Sequence, residues 1–179
     1  QQPVTLVITD LDDTAPTITS GSEAVSIEEN SGAGQVVYTA TADDSADVSS
    51  GDITFSLAAG SDSDLSINAS TGKVTLSSDP VHDVKSQYDF IVVATDEAGN
   101  QSAGKSVSFN IVKVVNLDEN SGDDQLIYTA VADDLSDGIT YSLAEGSDPF
   151  VSVDASSGEV TLTTDPDHET QSVYNFTVE

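Results

Sequence analysis

The chain has 179 residues, with 32 aspartates and glutamates against four lysines, no arginine and a formal net charge of −28. That balance argues against nucleic acid and anionic membranes as partners. The absence of cysteine excludes disulfides and thiolate metal sites, and no apolar run reaches the roughly 18 residues of a membrane-spanning helix. A small extracellular domain without disulfides needs another staple, and a metal ion supplies one.

In chain order, Val4-Thr-Leu-Val-Ile-Thr9 reads as a strand. It runs straight into Asp10-Leu-Asp-Asp-Thr-Ala-Pro16, three carboxylates within four residues closed by a proline. Hard cations such as Ca²⁺ take about 6–8 oxygen ligands, so Asp10, Asp12 and Asp13 are candidate ligands. The bland alternative is a solvated turn, since Asp and Pro are both turn formers.

Beyond Pro16 the chain repeats itself. Glu29-Asn-Ser-Gly32 recurs as Glu119-Asn-Ser-Gly122, Gln35–Asp44 as Gln125–Asp134, and Ile53–Leu57 as Ile139–Leu143. Leu65–Leu76 recurs as Val151–Leu162, and Gln87–Val92 as Val173–Val178. Period-two alternation dominates: Val36, Tyr38, Ala40 and Ala42 share one face, as do Tyr88, Phe90, Val92 and Ala94, and Val107, Phe109 and Ile111. Short alternating runs between Ser, Gly and Asp clusters specify an all-β antiparallel sandwich. Seven strands are expected in the first repeat, near 24–28, 35–42, 53–57, 65–68, 73–77, 87–94 and 106–112. Six are expected in the second, ending at Val178. Gly72 and Gly158 mark matching tight turns.

These motifs together resemble bacterial cadherin-like tandem repeats. Asp10–Pro16 is similar to the family's inter-repeat linker D-x-N-D-N-A-P, departing at Thr14. Leu65-Ser-Ile-Asn-Ala-Ser-Thr-Gly-Lys-Val74 resembles its F-x-I-D-x-x-T-G-x-I signature, and Ala94-Thr-Asp96 its A-T-D. The resemblance implies tandem Greek-key sandwiches, seven-stranded and immunoglobulin-like. It implies a last strand of a preceding repeat plus acidic linker at 1–16, a repeat at 17–113, and a second repeat at 114–179 lacking its last strand.

The resemblance also implies Ca²⁺ ligands. Glu29 and Glu119 match the P-E-N glutamate. Asp43-Asp44 and Asp133-Asp134 stand where the family has D-A-D, without its spacer. Asp167-His-Glu169 matches D-x-E, whereas the first repeat has Val81-His-Asp83, with Asp83 the shortened remnant. Family sites draw P-E-N and D-x-E from the upstream repeat and D-A-D from the downstream one. Here the good linker precedes the first repeat and the intact upstream set, Glu119, Asp167 and Glu169, lies in the second. The joint near 112–118 reads as calcium-poor.

Two arrangements are consistent with this layout. Either the chain is one period of a covalent array, or subunits join head to tail, residues 4–9 completing a neighbour's sheet by β-augmentation. Neither an initiator Met nor a leader opens the chain, which reads as a mature product or a piece of a longer one.

His82 and His168 occupy matching positions and read as exposed loop residues, Asp62-Ser-Asp64 as a polar loop, the three N-x-S/T sequons as accidental, and the five tyrosines as packing residues. No nucleophile elbow, phosphate loop or H-E-x-x-H occurs, so no enzyme is expected. The function implied is a calcium-binding structural or adhesive module in a stiff extracellular rod, matrix fibre or surface filament, its partners copies of itself or adjacent repeats. The alternative is a calcium-dependent module binding a cell-surface polysaccharide.

Overall fold

A computed structural model describes residues 2–46, 51–132 and 138–179. Its described residues form twelve short strands and no helix. They divide into two compact units, Gln1–Val114 and Val115–Glu179.

Unit 1 holds β1 (Thr17–Ile18), β2 (Ile27–Glu28), β3 (Gln35–Thr39), β4 (Ala42–Asp43), β5 (Thr54–Leu57), β6 (Leu65–Ile67), β7 (Lys73–Leu76), β8 (Gln87–Thr95) and β9 (Lys105–Val112). One sheet runs β2-β9-β8-β5, a second β3-β7-β6, and β1 pairs with β4. All pairs are antiparallel except β2 on β9, where Ile27 lies against Ile111. β8 alternates buried and exposed residues as its sequence dictates, aiming Tyr88, Phe90, Val92 and Ala94 inward. Val107, Phe109 and Ile111 of β9 meet them, with Val37, Tyr38, Val74 and Leu76 from the opposing sheet. Tyr88 stacks on Phe109 with ring centroids 5.3 Å apart, and Tyr38 meets Phe90 edge-on at 5.5 Å.

Unit 2 holds β10 (Gln125–Thr129), β11 (Val151–Val153) and β12 (Glu159–Leu162) in the order β10-β12-β11. The register shift between Leu126 and Tyr128 against β12 matches that between Val36 and Tyr38 against β7. The core is smaller, Val151, Val160 and Leu162 at its centre with Tyr128, Leu143, Tyr174, Phe176 and Val178 half-buried around them.

Several strands differ from the sequence reading. Residues 4–9 form no strand, and Val4, Leu6 and Ile8 are 92, 84 and 86% exposed, because a strand needs a partner for its backbone groups. The expected strand 24–28 survives only as β2. Its start is split between sheets: Ala24 N–H donates to Ser108 and Val25 N–H to Val37. The run 35–42 changes partners midway, leaving β7 after Thr39 and pairing with β1 from Ala42. In unit 2 the expected strands at 139–143 and 173–178 reduce to a bridge between Leu143 and Val178. They are nonetheless tied by Ser142 and Glu179, which exchange two backbone bonds of 2.8–2.9 Å, and by Ala144 N–H to Thr177 O.

Gly72 and Gly158 end matching turns at φ +67° and +72°. A Cβ at Gly72 would lie 2.4 Å from the Ala40 carbonyl oxygen, and one at Gly158 2.7 Å from that of Ala130. Both the left-handed backbone and the close approach require glycine.

Candidate cation centres

Two carboxylate clusters stand out among the described residues. The first is Asp12, Asp44 and Asp96, each with an oxygen within 4.8 Å of the others. Asp12 comes from the acidic run, Asp44 from the end of β4 and Asp96 from just after β8. Asp44 and Asp96 are buried, at 8 and 6% exposure. At such spacing each like-charged pair repels by about 1–4 kcal/mol at effective dielectrics of 80 to 20.

Burial raises the Asp96 carboxyl, but hydrogen bonds from the Asn100 side chain and from backbone N–H groups outweigh it and hold it below the usual carboxylate range. Gly99 N–H and Asn100 N–H reach Asp96 Oδ1 at 2.7 and 2.8 Å, and Asn100 Nδ2 donates to Oδ2 at 2.9 Å. The same amide donates to the Asp12 carbonyl at 3.2 Å and to its Oδ1 at 3.4 Å. Asn100 therefore positions the acidic run against Asp96. Two buried carboxylates and a half-buried one, crowded together, form a hard-donor set suited to a divalent cation such as Ca²⁺.

The second cluster is Glu119, Asp167 and Glu169, exposed, again with oxygens within 4.8 Å. His168 N–H donates to Glu119 Oε2 at 3.3 Å. Asp167 accepts Thr170 Oγ1–H at 2.6 Å and Glu169 N–H at 3.1 Å. The Thr170 hydroxyl, chiefly, keeps Asp167 below its usual range.

The remaining candidates lie outside both clusters. Asp43 accepts from the Ser45 hydroxyl and N–H at 2.9 and 3.2 Å. Asp10 and Asp13 belong to neither group. Half-buried Glu29 accepts Val114 N–H at 2.9 Å and His82 N–H at 3.2 Å. Asp83 is claimed by Lys113 Nζ at 2.6 and 2.7 Å, which lowers its carboxyl together with the His82 ring. Asp133-Asp134 lie outside the described residues. Asp62, read as a polar loop, takes the Lys85 ammonium and Asp89 N–H.

Asp96 is legible in the sequence as part of A-T-D, but nothing there marks it as a donor. Asn100 carries no signal beyond a formal sequon, because its role depends on a loop folding back across 88 positions of sequence.

A two-sheet sandwich with carboxylate clusters at the ends of its strands defines a class of extracellular β module. The Cadherin domain family matches residues 23–112, and the chain belongs to that family. It is 27% identical over 117 residues to protocadherin Fat 4 of Mus musculus, covering 65% of this chain and 2% of that protein. Mouse cadherin-23 EC22-24 superposes with a TM-score of 0.51 at 24% identity, over 95% of this chain and 60% of that one. Protocadherin gamma B7 extracellular cadherin domains 1-4 superpose at 0.50 and 21%, over 94 and 46%. These structural likenesses show the fold. The chain thus spans a small part of its curated relative, and the relatives are animal proteins where the sequence reading pointed to bacterial ones. Cadherin domains are extracellular, non-enzymatic adhesion modules that typically depend on calcium.

Proposed function

We propose that this chain is a calcium-binding structural module of an extracellular rod, with repeats at 17–113 and 114–179 and the segment 1–16 as strand and linker. The observation that carries the reading is the Asp12, Asp44 and Asp96 cluster, in which two buried carboxylates face a third at the strand ends. Ca²⁺ would be held there by these three, and in unit 2 by Glu119, Asp167 and Glu169. The ion supplies the positive charge that makes such crowding favourable. The protein supplies carboxylate oxygens and, through Asn100, the placement of Asp12 against Asp96.

Asp12 of the acidic run is tied to unit 1 through Asn100, so ion binding would stiffen the linker rather than create it. In this reading head-to-tail self-association brings the Asp12, Asp44 and Asp96 set of one copy to the Glu119, Asp167 and Glu169 set of another and turns the module into a filament. Polysaccharide binding lacks a specific supporting feature: Tyr38 and Tyr88 are buried rather than exposed on a sheet face.

The test is titration calorimetry of the metal-stripped chain with Ca²⁺, beside an Asp44→Ala, Asp96→Ala variant. Extracellular modules bind Ca²⁺ with Kd of about 10⁻⁴–10⁻³ M. Binding in that range, lost from one class of site in the variant, supports the reading. Equal heats for both proteins refute it.

A further inference from the structure

We infer that Asn68, in the turn between β6 and β7, is the acceptor of an N-linked glycan, and that the fold withholds Asn100 from the same chemistry. The sequons Asn68-Ala-Ser70, Asn100-Gln-Ser102 and Asn175-Phe-Thr177 are alike in sequence, and from sequence all three are expected to be accidental. Their side chains are employed differently. Asn68 belongs to neither carboxylate cluster, so its modification is independent of the calcium reading and rests only on the extracellular character of the family.

An N-glycan forms when the carboxamide nitrogen of asparagine attacks the anomeric carbon of a lipid-linked oligosaccharide. The new N–C bond forms as the C–O bond to the lipid pyrophosphate breaks. The pyrophosphate leaves with the electron pair, and one amide proton is lost. A hydroxyl residue two positions on marks the site, and the product is a bulky polar group that needs an open surface. A folded chain therefore tolerates it only where Nδ2 is not already spent.

Asn68 meets that condition. It is exposed, as are Ala69, Ser70 and Thr71. Its Oδ1 accepts Ser70 N–H at 3.1 Å and Thr71 N–H at 3.0 Å, which turns the oxygen onto the backbone and leaves Nδ2 on the other side. Among the described residues Nδ2 donates to none. The backbone closes the turn by itself, Asn68 N–H to Lys73 O and Gly72 N–H to Asn68 O, both at 2.9 Å. Nothing that holds the turn is lost when Nδ2 gains a sugar.

The second repeat shows that the turn does not require an amide. Asp154 stands in the place of Asn68, and its Oδ1 accepts Ser156 and Ser157 N–H at 2.9 and 2.8 Å. The backbone bonds recur as Asp154 N–H to Glu159 O and Gly158 N–H to Asp154 O. A carboxylate builds the same turn, so the nitrogen of Asn68 is left over for a further role. With Ser70 it makes an acceptor that Asp154-Ala-Ser156 is not.

Asn100 is the opposite case. It is half-buried, and its Nδ2 donates to the Asp12 carbonyl at 3.2 Å and to Asp96 Oδ2 at 2.9 Å. The hydroxyl of its sequon is engaged as well, Ser102 Oγ accepting Ala94 N–H at 2.9 Å. A sugar on this nitrogen would remove a donated hydrogen and set its bulk against the acidic run.

The test is secretion of the full chain from a eukaryotic cell, with exposed Asn175 changed to Gln in every sample so that two sequons remain. Intact mass is measured before and after the amidase that releases N-glycans and leaves aspartate where a glycan stood, and peptide mapping then locates the aspartate. The expected result is a mass above the 18.5 kDa of the bare chain, returned to that value by the amidase, with aspartate at 68 and asparagine still at 100. Ser70→Ala keeps the backbone N–H that Asn68 Oδ1 accepts and removes only the hydroxyl, so it should fold and carry the bare mass. Asn68→Asp, the residue of the second repeat, should do the same. A bare mass for the parent, a glycan on Asn100 with or without one on Asn68, or a glycan retained by Ser70→Ala would overturn the inference. None of these outcomes alters the calorimetric test of calcium binding, so the two readings stand or fall separately.

Discussion

At one end of unit 1, Glu29 accepts the N–H groups of His82 and Val114, and Lys113 lies on Asp83. At the matching end of unit 2, Glu119 accepts the N–H of His168, and Asp167 and Glu169 crowd beside it. The scaffolds are the same: Asn30 N–H reaches the Pro80 carbonyl and Asn120 N–H the Pro166 carbonyl, both at 2.8 Å. The charges differ. Residues 115–179 contain neither lysine nor arginine, so no ammonium group from within unit 2 neutralises its end. The difference teaches that one fold position carries a side-chain cation in unit 1 and only carboxylates in unit 2, with Val81 standing where unit 2 has Asp167.

The units also differ in how far their cores close, and this should give the largest effect. Phe90 is 1% exposed, and Phe90→Ala is expected to cost about 3–5 kcal/mol. Phe176, half-buried at the same repeat position, should lose about 2 kcal/mol, since less apolar area leaves water when it folds. Calorimetric unfolding of the two variants under chelator measures both. Equal losses would mean that unit 2 is as closed as unit 1 in solution, and the comparison would fail.

Next in size is the loss of Asn100. It touches both Asp12 and Asp96 without offering a carboxylate, so Asn100→Ala is expected to weaken Ca²⁺ binding by about 10–100-fold, as partners that orient ligands typically do. Asn100→Asp should not restore the site's geometry, since its carboxylate adds negative charge but cannot donate those bonds. Calorimetry on the unit 1 site measures the change, and unaltered affinity would show that Asp12 finds its place unaided.

Lys113→Glu converts the unit 1 end toward the unit 2 type. It replaces the ammonium on Asp83 with a third carboxylate near Glu29, so the variant should gain a Ca²⁺-dependent stabilisation that the parent lacks there. At tenfold over the Kd this amounts to about 1.4 kcal/mol. Thermal unfolding in Ca²⁺ against chelator reads it. No gain would mean that Glu29, held by two backbone N–H groups, is unavailable to a cation.

The alternation in β8 and β9, the paired turns at Gly72 and Gly158 and the sandwich class are legible in the sequence, because period two and turn chemistry are local. The grouping of Glu119, Asp167 and Glu169 is equally legible, since repeat and motif both mark it. The Asp12 cluster is legible only in part: Asp44 is among the sequence candidates, but Asp43 turns to Ser45 and Asp96 replaces Asp10 and Asp13 as the third member. Which of several adjacent carboxylates points inward depends on side-chain direction at a strand end, and spacing alone does not carry that. Residues 4–9 have a strand's pattern without its structure because pairing, not propensity, makes a strand.

The smallest effect compares the two turns closed by Gly72 and Gly158. In unit 1 the turn opens with Asn68, whose Oδ1 accepts from Ser70 and Thr71 N–H at 3.1 and 3.0 Å. In unit 2 it opens with Asp154, whose Oδ1 accepts from Ser156 and Ser157 N–H at 2.9 and 2.8 Å. The geometry is shared, but only the aspartate titrates. Those backbone N–H groups, Ser157 first, hold the Asp154 carboxyl below its ordinary 3.8. A carboxyl depressed in the folded state stabilises that state above its unfolded value and loses the contribution as pH falls through the folded one. The turn at 154–158 should therefore loosen below about pH 3.8, while the turn at 68–72 holds. Amide exchange at Gly158 and Gly72, whose N–H groups bond to Asp154 and Asn68 carbonyls, tracks each turn separately. Asp154→Asn should remove the pH dependence at Gly158 and make the two turns behave alike. If acid loosened both equally, the cause would lie in the −28 charge of the whole chain rather than in this one carboxylate.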